Sequence, residues 1–170
     1  ERTMATVFAE AAEQAGVQRI VYLGGMVPDI PQRKLSAHLR SRAEVGRILR
    51  ASSVPTIELR AGVIIGSGSA SFEMLRYLTE RLPVMITPRW VKTRTQPIAV
   101  RDVLHYLIGA MEYDGEVNRA YDIGGPDVTT YAGMMHGFAS VAGLPRRVLL
   151  PVNVLSPGLS AHWVGLVTPV

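Results

Sequence analysis

What most constrains the fold of this chain is the alternation of its segments. Runs with apolar residues three or four apart are separated by short β-rich runs that end in glycine. Met4, Val7, Phe8, Ala11, Ala12 and Ala15 recur at helical spacing, and Gly16 is placed to end that helix. RIVYL, residues 19–23, predicts a strand closed by Gly24 and Gly25. A proline-containing loop leads into SAHLRSRAEVGRILR, residues 36–50, which reads as a helix ending near Ser52, ahead of Pro55. TIELRAGVII predicts one strand of largely buried character. GSGSAS follows, and then a helix with Phe72, Leu75, Leu78 and Leu82 on one face.

After Pro83, VMITPRWVKTRTQPIAV is irregular or short-stranded. RDVLHYLIGAMEY predicts a helix that buries Val103, Leu104, Leu107, Ile108 and Met111. AYDIGGPD is strand then turn, and Thr130 is placed to N-cap a last helix ended by Gly143. This alternation predicts an α/β fold, a parallel sheet covered on both faces. With 170 residues, 48% of them hydrophobic and only 19% charged, the chain can bury a real core and is not disordered.

Composition excludes several chemistries. There are no cysteines, hence no disulfide, thiolate nucleophile or cysteine zinc site. His38, His105, His136 and His162 are too dispersed for a metal cluster, and no metal is expected. The net charge of +4 and the pI near 9.8 come from scattered arginines and lysines, and no basic run is paired with an aromatic platform. No nucleic-acid partner is therefore expected. The apolar tail RVLLPVNVLSPGLSAHWVGLVTPV is broken by proline and glycine before it reaches spanning length, so no membrane partner is expected and the location is read as cytoplasmic. Homo-oligomerisation is left open. The chain opens inside a helical pattern and closes without polar residues, which suggests that both ends belong to something longer.

Ligands of open α/β sheets sit at the carboxyl ends of the strands. Those ends are glycine-rich here: Gly24 and Gly25, then Gly66 to Ser71, then Gly124 to Pro126. Glycine there either admits a ligand to the backbone or simply turns the chain. On the helix after the first strand, His38 and Arg42 stand four apart, in line with Val45 and Leu49. A histidine and an arginine on the stripe that must face the core either face a ligand or are half-buried and solvated without one.

The order strand–GG, loop, helix with a residue pair four apart, LRAGVIIG, QPIAVRDVLHYL and YDIGGPD resembles the NAD(P)-binding short-chain dehydrogenase/reductase superfamily. The match is closest to its extended and atypical branches, the epimerase-like and NmrA-like proteins. The runs RIVYLGG, HLRSRAEVGRILR, ELRAGVIIGSGSASFEMLRYL and RLPVMITPRWVKTRTQPIAVRDV resemble one actinobacterial-type subgroup of the atypical members. The resemblance implies the C-terminal part of a Rossmann-like doubly wound parallel sheet. Residues 1–150 would be the second half of the NAD(P)-binding domain, and 151–170 the truncated start of a following segment or domain.

The resemblance implies NAD or NADP as cofactor and a small-molecule substrate. The family's phosphate loop is not found: nothing reads G-x-x-G-x-x-G, and GSGSAS follows the wrong strand. Binding of the cofactor by this chain alone is expected to be incomplete. At the family's catalytic Tyr-x-x-x-Lys stand His38 and Arg42. An imidazole exchanges a proton near neutral pH without help, whereas a guanidinium binds ribose hydroxyls but gives up no proton. Gly24 and Gly25, together with Ala61, Gly62, Val63 and Ile64 after Arg60, are the implied cofactor contacts. Ser67, Ser69 and Trp90 are the implied substrate contacts, although a serine-rich turn before a helix also suits an anion or a plain cap. The activity implied is that of an oxidoreductase or epimerase-like enzyme, the alternative being an NmrA-like sensor or assembly protein that binds nucleotide without turnover.

Overall fold

The structure, a computed structural model, describes residues 1–152 apart from Asp29, Gln32 and Lys34. Most of the segment 151–170, with His162, lies outside the described residues. In chain order the elements are α1 (Arg2–Gln14), β1 (Ile20–Gly25), α2 (Ala37–Arg50), β2 (Thr56–Ala61), β3 (Ile64–Ile65), α3 (Ala70–Arg81) and β4 (Val84–Pro88). After a 3-10 turn at Arg89–Lys92 come β5 (Arg94–Thr95), β6 (Ile98–Ala99), α4 (Val100–Met111), β7 (Arg119–Ile123), β8 (Thr129–Thr130), α5 (Tyr131–Val141) and β9 (Val148–Val152). They form two compact units: residues 1–62 with 100–124, and residues 63–99 with those from 125 onward.

The first unit is built on three parallel strands in the order β1-β2-β7. Helix α1 meets α2 through small residues, Ala5, Ala9 and Ala12, while Met4, Val7 and Phe8 stay exposed. Gly16, at φ +68°, ends α1: its own N–H reaches Glu13 O, and that of Val17 reaches Ala12 O. This left-handed cap is the one the sequence predicts. Ser36 N-caps α2, accepting the Leu39 N–H at 3.2 Å. Ala9, Ala12, Ile20, Leu49 and Val54 form the core between these helices and the sheet, flanked by Tyr22 and Val45.

Three expectations are corrected here. Strand β1 does not close at Leu23 but runs through both glycines, Gly24 pairing with Arg60 and Gly25 with Ala61. TIELRAGVII is two strands and not one. β2 pairs with β1 and β7, whereas β3 pairs with β6, so the chain changes partners at Gly62 and Val63. A run read as one strand from its largely apolar character does not register a change of partner. Finally, α4 buries Val103 and Ala110, with Leu107 half-buried, but leaves Leu104, Ile108 and Met111 exposed. Its apolar residues surround too much of the helix for one contact with β1 and β2 to cover. Arg19 closes the end of α4 by donating to the carbonyls of Ala110 and Met111, at 3.0 and 2.8 Å.

In the second unit, α3 and α5 pack around Val63, Leu75, Leu78, Met85, Val91, Met134 and Met135. β4 pairs in parallel with β9, Val84 opposite Val148, and β9 runs across residue 150. The short-stranded reading of residues 84–99 is correct. Thr130 accepts the Gly133 N–H at 3.0 Å, and Gly143 ends α5 at φ +66°, both as expected. The Gly124–Gly125 turn has a packing reason: the Gly125 N–H donates to Pro97 O at 2.9 Å, and a Cβ on Gly125 would strike that same oxygen.

Candidate functional site

Helix α2 carries one stripe out of the core. Leu49 is buried, Val45 and Arg42 are half-buried, and His38, in the first turn, is exposed. That turn lies against the carboxyl end of β1, where a Cβ on Gly25 would meet Leu39 Cδ2 at 3.8 Å. The polar pair therefore sits where the apolar stripe leaves the core, at the sheet end where ligands of such folds are found.

Beside Arg42 lies a residue that the sequence reading missed, Tyr22. Alternation along β1 places it on the face of Ile20 and Gly24, toward α2, and that signal could have found it. Burial pushes the Tyr22 hydroxyl up from its usual range, and the neighbouring Arg42 guanidinium only partly opposes this. The phenol thus keeps its proton to higher pH than an exposed tyrosine, beside the Arg42 guanidinium. Nearby, the Ser41 hydroxyl donates to Glu1 Oε2. This bond, aided by the charge of Arg42, holds the Glu1 carboxyl below its usual range.

Gly24 faces inward and is buried; a Cβ there would lie 3.0 Å from Glu58 Oε1. Glu58, on β2, is 1% exposed. It is clasped by Arg50 Nε at 2.8 Å and Arg60 Nε at 3.0 Å, under Gly46 of α2. The carboxylate thus accounts for the absent side chain at Gly24 without a ligand. Ala61 is buried at the end of β2, and Gly62 is exposed beyond it. Val63 and Ile64 begin the second unit, Val63 buried and Ile64 half-buried.

Also in the second unit, Ser67 is exposed and Ser69 stands at the N-cap of α3, where its side chain makes no capping hydrogen bond. Trp90 lies in the turn Arg89–Lys92, and its side chain is outside the described part. No group of three metal-ligating side chains is found among the described residues, and no helix among them is long and apolar enough to cross a membrane.

Neither a family model nor a curated protein matches the chain. Solved structures do. UDP-glucose 4-epimerase of Thermotoga maritima, in complex with UDP-glucose, matches at 16% identity over 88% of this chain and 56% of its own, with a TM-score of 0.65. The dTDP-4-dehydrorhamnose reductase of Bacillus anthracis, with NADP, matches at 13% identity over 88% and 56%, TM-score 0.70. UDP-glucuronic acid 4-epimerase of Bacillus cereus, with NAD, matches at 11% over 89% and 55%, TM-score 0.69. The chain spans little more than half the length of these structures. All three are NAD(P)-dependent enzymes of the extended short-chain dehydrogenase/reductase superfamily. What this chain shares with them is the Rossmann-like α/β fold.

Proposed function

We propose that this chain is part of an NAD(P)-dependent oxidoreductase or epimerase-like protein of atypical kind, acting on a small molecule. The observation that carries the reading is the stripe His38–Arg42 leaving the core beside Gly25, with neutral Tyr22 beneath Arg42. The residues fit a nucleotide. Gly25 presents approachable backbone, Gly62 is exposed, and Arg42 offers a fixed cation with several donors. Bound NAD or NADP would supply the hydride chemistry.

In this reading Arg42 donates to ribose hydroxyls and holds positive charge, and His38 gives and takes a proton at its ring nitrogen. Of the other proposed cofactor contacts, Gly24 already has a packing role, while Ala61, Gly62, Val63 and Ile64 would act through their backbone groups. Ser67, Ser69 and Trp90 would meet the substrate. A second reading, nucleotide sensing without turnover, is favoured by one fact: among the described residues His38 has no hydrogen-bond partner to orient its ring.

Calorimetric titration of NADH and NADPH tests the cofactor, and His38→Ala tests the chemistry. Binding in both proteins, with a reductase activity lost only in the variant, supports the enzyme. Binding without activity in the wild type supports the sensor. No binding of either nucleotide overturns both.

A further inference from the structure

A cavity of about 350 Å³ opens on the first unit, on the flank of α2 opposite to the His38–Leu49 stripe. Four arginines line it: Arg40, Arg47 and Arg50 from α2, and Arg60 from β2. Glu44 is the acidic residue that lines it with them, and Arg47 already holds that carboxylate by two nitrogens, at 2.8 and 3.0 Å. Asp122, the neighbour of Arg60 on β7, is not among the lining residues.

The remaining donors lack acceptors among the described residues. Arg50 and Arg60 each give only Nε to Glu58, and their terminal Nη groups make no hydrogen bond to the described residues. The Arg40 side chain makes neither a hydrogen bond nor an ion pair among them. A guanidinium carries five N–H donors in a rigid fork, so most of this donor array is unused by the described residues. Glu58, buried beneath, fixes two of the forks in place through their inner nitrogens and makes no hydrogen bond to their outer ends. Such an array suits a tetrahedral, multiply charged anion better than a lone carboxylate. Four guanidiniums against Glu44 and Glu58 leave an excess of two positive charges, which matches a phosphomonoester dianion. Val27 and Leu35 supply an apolar wall, and the volume exceeds what a bare phosphate fills.

We propose that this cavity is an anion site that binds the phosphate group of a small phosphorylated metabolite, of about the size of a hexose phosphate. It is separate from the His38–Arg42 stripe and does not depend on nucleotide binding.

The test is calorimetric titration of glucose 6-phosphate at constant ionic strength, with glucose as the uncharged control, in the presence and absence of NADPH. Arg40→Ala and Arg47→Ala are the variants, chosen because neither residue touches Glu58, and circular dichroism checks their fold. Each is expected to weaken glucose 6-phosphate binding by about tenfold, as removal of one charged donor implies. NADPH should not displace the ligand, and glucose should not bind. Unchanged affinity in both variants, displacement by NADPH, or no heat at millimolar glucose 6-phosphate would overturn the proposal. A failure of NADH and NADPH to bind would leave it standing, because that failure concerns the other face of α2.

Discussion

Each of the two units buries one charged side chain among its described residues, and they neutralise it differently. In the first, Glu58 is 1% exposed and is met by two full charges, Arg50 and Arg60. In the second, Arg147 is 7% exposed and is met by no carboxylate among the described residues. Its Nε donates to Thr79 O at 2.7 Å and its Nη2 to Glu80 O at 3.4 Å, both at the carboxyl end of α3. Unpaired carbonyls at a helix end carry about half a negative charge in sum, which suffices for a weakly hydrated guanidinium. A buried carboxylate on a central strand has no helix end to use, since the strand's own donors are committed to the ladder. It needs full counter-charges, and its two arginines come with it.

This contrast is open to measurement. The largest effect is expected from Glu58→Gln, which removes the charge and leaves two guanidiniums over an apolar sheet. Breaking a buried pair in this way costs about 3–5 kcal/mol, read from urea unfolding. If the loss is below about 1 kcal/mol, the pair is not what holds α2 on β2.

Arg147→Met should cost less, about 1–3 kcal/mol, because only hydrogen bonds to carbonyls are lost. Equal losses in the two variants would erase the distinction drawn between them. Next comes Gly46→Ala. A Cβ there would sit 2.5 Å from the Glu58 carboxyl, which its two arginines hold in place, and overpacking of this kind costs about 1–3 kcal/mol. Combined with Glu58→Ala the effects should be less than additive, because the smaller residue removes the clash. Full additivity would mean that α2 shifts freely over the sheet.

The smallest effect is a pH dependence. The Tyr22 hydroxyl titrates higher in the folded protein than in the unfolded chain, so the folded state keeps its proton longer. Its contribution is present below about pH 10 and is lost as pH rises through the raised folded value. Tyr22→Phe should flatten the alkaline fall in the urea midpoint. An unchanged slope would remove Tyr22 as its source.

Much of the fold is legible in the sequence because periodicity and caps are local. Gly16, Thr130 and Gly143 act within a few residues of themselves, and all three end or begin helices as predicted. Glu58 was not legible. Within TIELRAGVII it interrupts an apolar run, and nothing local says whether α2 will cover it. The answer depends on Gly46 and Arg50, which belong to a different element. The over-wide apolar set of α4 failed for a related reason, since burial is decided by the partner as much as by the helix. At the candidate site, residue pairing along α2 located His38 and Arg42, but Tyr22 required knowing which face of β1 meets that helix.

The division of the chain into units has a kinetic consequence. The backbone passes from one unit to the other at Gly62, Ala99 and Gly124, so neither is a continuous stretch. β7 adds to β2 only after residues 63–99 and α4 have been spanned, and Asn118, at φ +58°, opens that pairing by bonding Thr56 through both its N–H and its side-chain oxygen. Closing so long a loop before its contacts reward it slows folding relative to a chain of local hairpins. No single proteolytic cut can release either unit intact. A deletion that isolates the first must instead join Gly62 directly to Val100, so that the carboxyl end of β2 leads straight into α4.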